Sequence, residues 1–138
     1  MTKRENLMFR IAKDISYLSD YKGARLGAVV AQGKRVLSTG HNAMKTRPLQ
    51  QHYNFYRDFR LDWQTAARQH AEIDALSPLI GKPIDWARTE IYVYRELRDG
   101  TVACSKPCPA CARLMHDLGI KTVYYINQYG EYTKEKIL

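Results

Sequence analysis

Residues 69–76 read Gln69-His70-Ala71-Glu72-Ile73-Asp74-Ala75-Leu76. At about 100° per residue, Ile73, Leu76 and Ile80 form an apolar stripe with Leu79 at its margin. This predicts a helix running roughly from Asp62 to Leu79, with Pro78 marking its end. Glu72 falls one turn before Leu76 and so lies within the stripe, while Asp74 falls on the opposite, solvated side. An unpaired carboxylate facing a core is costly. It must find a partner or hold a proton, so its pKa is perturbed. An acid in the first turn of a helix can also simply stabilise the helix dipole. The surrounding chain has to decide between the two.

Upstream, Glu5 to Leu18 places Leu7, Ile11, Ile15 and Leu18 at helical spacing. Leu26–Ala31 and Arg35–Thr39 read as the strands of a hairpin turning at Gln32-Gly33. From His41 to Leu61 the chain is polar, basic and aromatic, as in a long loop or an irregular helix, and loops of that length tend to be functional or disordered. Downstream, Thr89–Tyr94 and Lys121–Ile126 read as strands. Between them Pro109–Leu118 reads as a helix, with Gly119 where a terminating glycine belongs. After a turn at 127–130, the last eight residues can return as an antiparallel strand. The order α-ββ-α-β-α-β-β argues for a three-layer α/β/α arrangement. The 138 residues show no repeat or linker and read as one domain, 1–138.

The net charge of +8 is unevenly distributed. Residues 1–60 hold twelve Lys or Arg against four Asp or Glu, whereas residues 61–138 hold ten of each. A basic face attracts phosphate, on a nucleotide or along a nucleic acid; a solvated surface is the plainer reading. No run of about 18 apolar residues is present to cross a membrane. The N-terminus lacks a signal-peptide core, so a cytoplasmic protein is expected.

The three cysteines, Cys104, Cys108 and Cys111, are odd in number and clustered, a poor disulfide framework. Cys108-Pro109-Ala110-Cys111 puts two thiols at the mouth of a helix, with Pro109 at its first position. Unpaired N–H groups and the positive end of the dipole favour thiolate there. A lone C-x-x-C suits metal binding, redox chemistry or an inert buried pair. His70 breaks the tie, because His plus two Cys is a three-ligand zinc set with one position open. Zinc also gives Glu72 a reason to face inward, since an acid beside an activated water can move its proton.

His70-Ala71-Glu72 followed by Pro107-Cys108-Pro109-Ala110-Cys111 resembles the signature of the zinc-dependent cytidine deaminase superfamily. In length, in "HAEIDAL" and in "GIKTVYY", the chain looks most like phage and bacterial deoxycytidylate-deaminase-like proteins. The resemblance implies a cytidine deaminase-like fold with a mixed sheet of about five strands. By position, it implies that His70, Cys108 and Cys111 hold one zinc per chain and that Glu72 is the proton shuttle. Zinc-bound hydroxide would attack C4 of a cytosine ring and ammonia would leave. The backbone N–H of Ala71 would bind the base carbonyl, the backbone around Ser105 and Lys106 would receive the exocyclic amine, and Asn42 would contact the sugar. Two features depart from the deoxycytidylate branch. The tail after Ile126 suits a C-terminal β-hairpin, more like the free-cytidine branch, and the 41–61 segment lacks cysteines for a second zinc.

The expected partner is a small nucleotide or nucleoside, dCMP-like, with Lys45, Arg47 and His52 (and Lys106) as phosphate-binding candidates. Tyr53, Phe55 and Tyr56 alternate with Arg57 and Arg60, a pattern that also suits single strands. Deamination of cytosine or adenine in single-stranded DNA or RNA is therefore the alternative. A non-enzymatic zinc module closed by Cys104 is a second alternative. His116 reads as a surface residue, and Trp63 and Trp86 as core. Related folds often self-associate, so a homo-oligomer is expected.

Overall fold

The structure is a computed structural model that describes residues 1–56 and 68–137. Thr2 and Glu5 start the first helix by a reciprocal cap, each backbone N–H donating to the other's side chain at 3.0 Å. Helix α1 therefore spans Lys3–Ser16, two residues earlier than its apolar spacing suggests. Its buried face is Met8, Phe9, Ala12 and Ser16, whereas Leu7 and Leu18 are exposed. The cause lies across the interface. A Cβ at Gly27 would run into the Ala12 carbonyl and the Ser16 backbone nitrogen. The helix thus lies close to the sheet on its small residues, which turns the expected leucine stripe outward.

Strands β1 (Arg25–Gln32), β2 (Arg35–His41), β3 (Glu90–Glu96), β4 (Thr122–Ile126) and β5 (Tyr132–Lys136) form one sheet in the order β2-β1-β3-β4-β5. β3 and β4 pair in parallel, and the other three pairings are antiparallel. The sheet is mixed and five-stranded, as the resemblance implies, and β4–β5 is the expected C-terminal hairpin. Side chains alternate across it. Ile91 and Val93 face one apolar cluster, with Ala28, Val30, Ile73, Leu76, Leu114 and Met115. Tyr92 and Tyr94 face the other, under Phe9 and Met8 of α1. Helices thus cover both faces, which is the three-layer α/β/α arrangement.

The basic segment after β2 contains a short helix, α2 (Pro48–Tyr53), and a turn at Asn54–Tyr56. The helix expected over 62–79 is different in its described part. Residues 62–67, Trp63 among them, lie outside the described residues, as do Arg57 and Arg60. Helix α3 spans only Ala71–Leu76 and passes into a 3-10 turn at Ser77–Leu79. Gln69 pairs with Ala43 in an isolated bridge, and His70 is extended at φ −91° and ψ 147°. His70 is therefore the residue that caps α3 rather than one inside it. The tighter turn re-phases the end of the stripe, so Leu79 is buried while Ile80 is 42% exposed. Helix α4 spans Pro109–Leu118, as its sequence suggests, and Gly119 ends it at φ +97°. Trp86 is half-buried against the same cluster as α4. Among the described residues, no helix is long and apolar enough to cross a membrane.

Candidate metal centre and active site

Two helix starts converge over the sheet face that Ile91 and Val93 line, with α3 lying on β1 and β2. His70 caps α3, Cys108 caps α4, and Cys111 lies one turn into α4. The close approach of α3 to the sheet depends on Gly40 of β2, where a Cβ would lie 2.6 Å from the Ala71 carbonyl oxygen and 2.8 Å from Ala75 Cα. The His70 backbone N–H donates to Gln50 Oε1 at 2.9 Å, and Gln50 Nε2 donates to Asn54 Oδ1 at 2.7 Å. Gln50 is fully buried. This polar tether was not legible from the sequence, which offers only a glutamine in a basic segment.

His70 Nδ1 lies 3.3 Å from Cys111 Sγ and 3.4 Å from Cys108 Sγ, and the two sulfurs are 3.7 Å apart. Tetrahedral zinc, with Zn–S near 2.3 Å and Zn–N near 2.1 Å, sets ligand separations of about 3.8 Å for S–S and about 3.6 Å for N–S. The triangle fits that ion. It is three donors from described residues, and Cys104 is not among them. Instead, the Cys104 carbonyl accepts from Arg95 Nη1 at 3.2 Å. The Cys₃His arrangement considered above is thus not formed by these residues.

The electrostatics of the trio agree with the geometry. The Cys108 thiol is pulled down to about 4 by its hydrogen bond with Cys111 and then by His70, against burial. Burial drives Cys111 up, reinforced by Cys108 and by the charge of Glu72. Metal binding takes both sulfurs as thiolates, so a cation held here would favour deprotonation of Cys111 as well. Glu72 is 3% exposed, and its Oε1 has no hydrogen-bond partner among the described residues. Burial raises its pKa, with His70 opposing and Cys108 assisting. The sequence placed Glu72 inside the stripe and the structure does the same. Asp74 differs from expectation: it is not solvated. Its Oδ2 accepts the His41 N–H at 3.1 Å and its Oδ1 lies 3.1 Å from Arg47 Nη1.

The remaining sequence candidates divide. Ala71 is fully buried as the first residue of α3. Ser105 is buried. Its hydroxyl donates to the Val93 carbonyl at 2.7 Å and accepts the Ile126 N–H at 2.7 Å, while its own N–H donates to Ile126 O at 2.8 Å. That clamp fixes the chain entering Cys108. Lys106 is exposed and 4.0 Å from Glu135 on β5. Asn42 is buried, but its amide is engaged: Nδ2 donates to Ala24 O and Oδ1 accepts the Leu26 N–H, both at 2.9 Å. Lys45 and His52 are exposed, and the charge of Arg47 is met by Asp74. His116 is exposed beside Asp117.

Two residues that the sequence reading missed stand at the rim. Arg95 follows Ile91 and Val93 in period two and so belongs to the site face of β3. Arg68, two residues before His70, stacks its guanidinium 3.9 Å from the Tyr21 ring centroid. Burial lowers the Arg68 pKa, with Tyr21 opposing and the charge of Arg95 adding to the lowering. Alternation along β3 was a signal that could have found Arg95.

The family model for the cytidine and deoxycytidylate deaminase zinc-binding region matches residues 1–127. Among solved structures, apo dCMP deaminase from the cyanophage S-TIM5 is 21% identical, covers 93% of this chain and 86% of that one, and has a TM-score of 0.64. The structure of that enzyme in complex with dCMP and dUMP gives 21%, 94%, 85% and 0.63. Cytidine deaminase from Burkholderia pseudomallei gives 20%, 99%, 94% and 0.64. These likenesses show the fold. Comparison with curated proteins finds no match. Zinc is the cofactor that the family's binding region and the His70, Cys108 and Cys111 donors share. The chain belongs to the cytidine and deoxycytidylate deaminases, a family of hydrolytic enzymes.

Proposed function

We propose that this chain deaminates cytosine to uracil in a small nucleotide, with dCMP as the type of substrate. The observation that carries the reading is Glu72, a buried carboxylate with an orphaned oxygen beside three converging metal donors. His70, Cys108 and Cys111 hold one zinc. Bound there, the metal supplies Lewis acidity that makes a water nucleophilic near neutral pH.

Glu72 moves the protons. The net reaction adds one water across C4, breaks the C4–N4 bond and releases ammonia. Of the two water protons, one ends on N3 of the ring and the other on the departing amine. Oε1 of Glu72 is the free acceptor for each transfer. Burial keeps its pKa above the ordinary carboxylate range, so it can return a proton as readily as it takes one. The N–H of Ala71, at the start of α3, donates to the base carbonyl, and the backbone at Ser105 and Lys106 accepts from the exocyclic amine. The Ser105 clamp keeps that backbone rigid. Asn42 acts through the two backbone groups it ties down, because its amide is already engaged there.

A small substrate is the reading supported by the similar dCMP deaminase solved in complex with dCMP and dUMP. Tyr53 donates to Asp117 Oδ2 at 2.8 Å, and Arg113 lies 5.1 Å over the Tyr56 ring. Tyr53 and Tyr56 are thus tied to α4, while Phe55 between them stays exposed. Ammonia release from zinc-loaded protein, with a panel of nucleosides, monophosphates and oligonucleotides, tests the proposal. Turnover of cytosine monomers that disappears in Glu72→Gln with zinc retained supports it. Turnover retained in that variant, or turnover of oligonucleotides alone, refutes it.

A further inference from the structure

We propose that α2 is a brace between the two helices that carry the metal donors, with Arg47, Gln50 and Tyr53 as its positioning residues; the inference rests on the zinc deaminase reading above. The S–S edge of the donor triangle lies within α4, because Cys108 caps that helix and Cys111 is one turn into it. The two N–S edges, 3.3 and 3.4 Å, join α4 to His70 at the start of α3. Those edges depend on how α3 is held against α4, and α2 is bonded to both. Toward α3, the Arg47 N–H donates to Gln69 Oε1 at 2.9 Å, and Arg47 Nη1 lies 3.1 Å from Asp74 Oδ1. Gln50 Oε1 accepts the His70 N–H at 2.9 Å. Toward α4, the Tyr53 hydroxyl donates to Asp117 Oδ2 at 2.8 Å, while Asp117 Oδ1 lies 3.0 Å from Arg113 Nε. Arg113 in turn covers the ring of Tyr56, in the turn that continues α2.

Residues 47, 50 and 53 recur every three positions, so the short helix presents them in one row. That row runs from the α3 contacts to the α4 contact. Leu49 packs in the same apolar cluster as Ile73 of α3 and Leu114 of α4, which seats the brace between them. Gln50 argues for positioning over packing. It is fully buried, where an apolar side chain would avoid desolvating an amide. Its Nε2 donates to Asn54 Oδ1 at 2.7 Å, at the end of α2, so the amide is fixed from within its own helix and its oxygen is aimed at His70. Arg47 acts alike at the other end. Its guanidinium reaches a carboxylate that is only 14% exposed and that also accepts the His41 N–H. Arg47 therefore ties α2 to α3 and, through Asp74, to the end of β2. None of the three residues is among the metal donors, so each acts through the placement of His70.

The test breaks the brace at either end of the full chain, with Arg47→Met and with Tyr53→Phe. Zinc affinity and the absorption spectrum of the Co(II)-loaded protein report the donors without turnover. Each variant is expected to bind zinc about tenfold more weakly, the lower end of the range for lost support behind a metal ligand, and to shift the Co(II) bands. Arg47→Lys should recover part of the loss. The double variant should lose less than the product of the two single losses, because either break releases the same brace. Unchanged zinc affinity in either folded variant overturns the proposal, as does a double variant equal to that product. An effect of Arg47→Met confined to KM for dCMP overturns it too, since Arg47 would then be a substrate contact. Thermal melts identify a variant that fails to fold, and Tyr53→Phe, which removes a single oxygen, keeps the test decisive. If the unaltered protein binds zinc but deaminates nothing, the deaminase reading fails, and the zinc measurements still decide the brace.

Discussion

Gly40→Ala is the substitution that most strains the link between fold and site. The added Cβ would meet the Ala71 carbonyl oxygen at 2.6 Å and Ala75 Cα at 2.8 Å, both backbone atoms of α3. Ordinary contacts lie near 3.5–4.0 Å, so α3 has to retreat by roughly 1 Å. It cannot do so freely, because Asp74 is tied to the His41 N–H and Ile73, Ala75 and Leu76 are fully buried. Overpacking of this kind costs about 1–3 kcal/mol. His70 caps α3 and moves with it, which opens a donor triangle whose N–S edges are 3.3 and 3.4 Å. Zinc affinity should fall about 10–100-fold, the range for lost support behind a metal ligand. The matched variant is Gly27→Ala, which meets α1 on the opposite face of the sheet. It should lower the melting temperature and leave the zinc affinity of folded protein close to normal. Thermal melts and competition with a chromogenic chelator give both quantities. Normal affinity in Gly40→Ala, or an equal loss in Gly27→Ala, would refute the argument that Gly40 sets the site.

Glu72→Gln should stabilise the metal-free protein in a pH-dependent way. Burial raises the Glu72 pKa above its ordinary value of 4.5. Its contribution is therefore complete below that value and lost as pH rises through the folded pKa. The melting temperature of the variant relative to the original should be lowest near pH 4 and climb toward neutrality, and a flat difference would contradict the burial argument. Gln50→Leu leaves the His70 N–H without its acceptor and should cost about 1–3 kcal/mol, read by denaturant titration. It should also weaken zinc binding, whereas a loss of stability with normal zinc affinity would make Gln50 a packing residue alone.

Legibility followed the range over which each signal acts. The extent of α4 was readable because Pro109 and Gly119 act within a turn of themselves. Strand positions were readable from local alternation, and the metal donors from residue types whose chemistry has few other uses. The rotation of α1 was not, because it depends on Gly27, distant in sequence from Ala12. The start of α3 was misjudged for the same reason: the bridge from Gln69 to Ala43 and the bond from His70 to Gln50 override helical propensity through partners some twenty residues away. Asp74 was placed on the correct face but taken as solvated, since nothing in its own helix announces Arg47. The phosphate candidates Lys45, Arg47 and His52 were chosen from local basic excess and nearness in sequence, signals that carry no information about where the folded chain brings charge together.

Zinc stoichiometry combined with X-ray absorption at the zinc edge tests the central claim most directly. The account predicts one zinc per chain, two sulfur ligands and two lighter ligands, with His70→Ala removing both the metal and the deaminase activity. Three sulfur ligands, or a zinc-free protein with full activity, would contradict it.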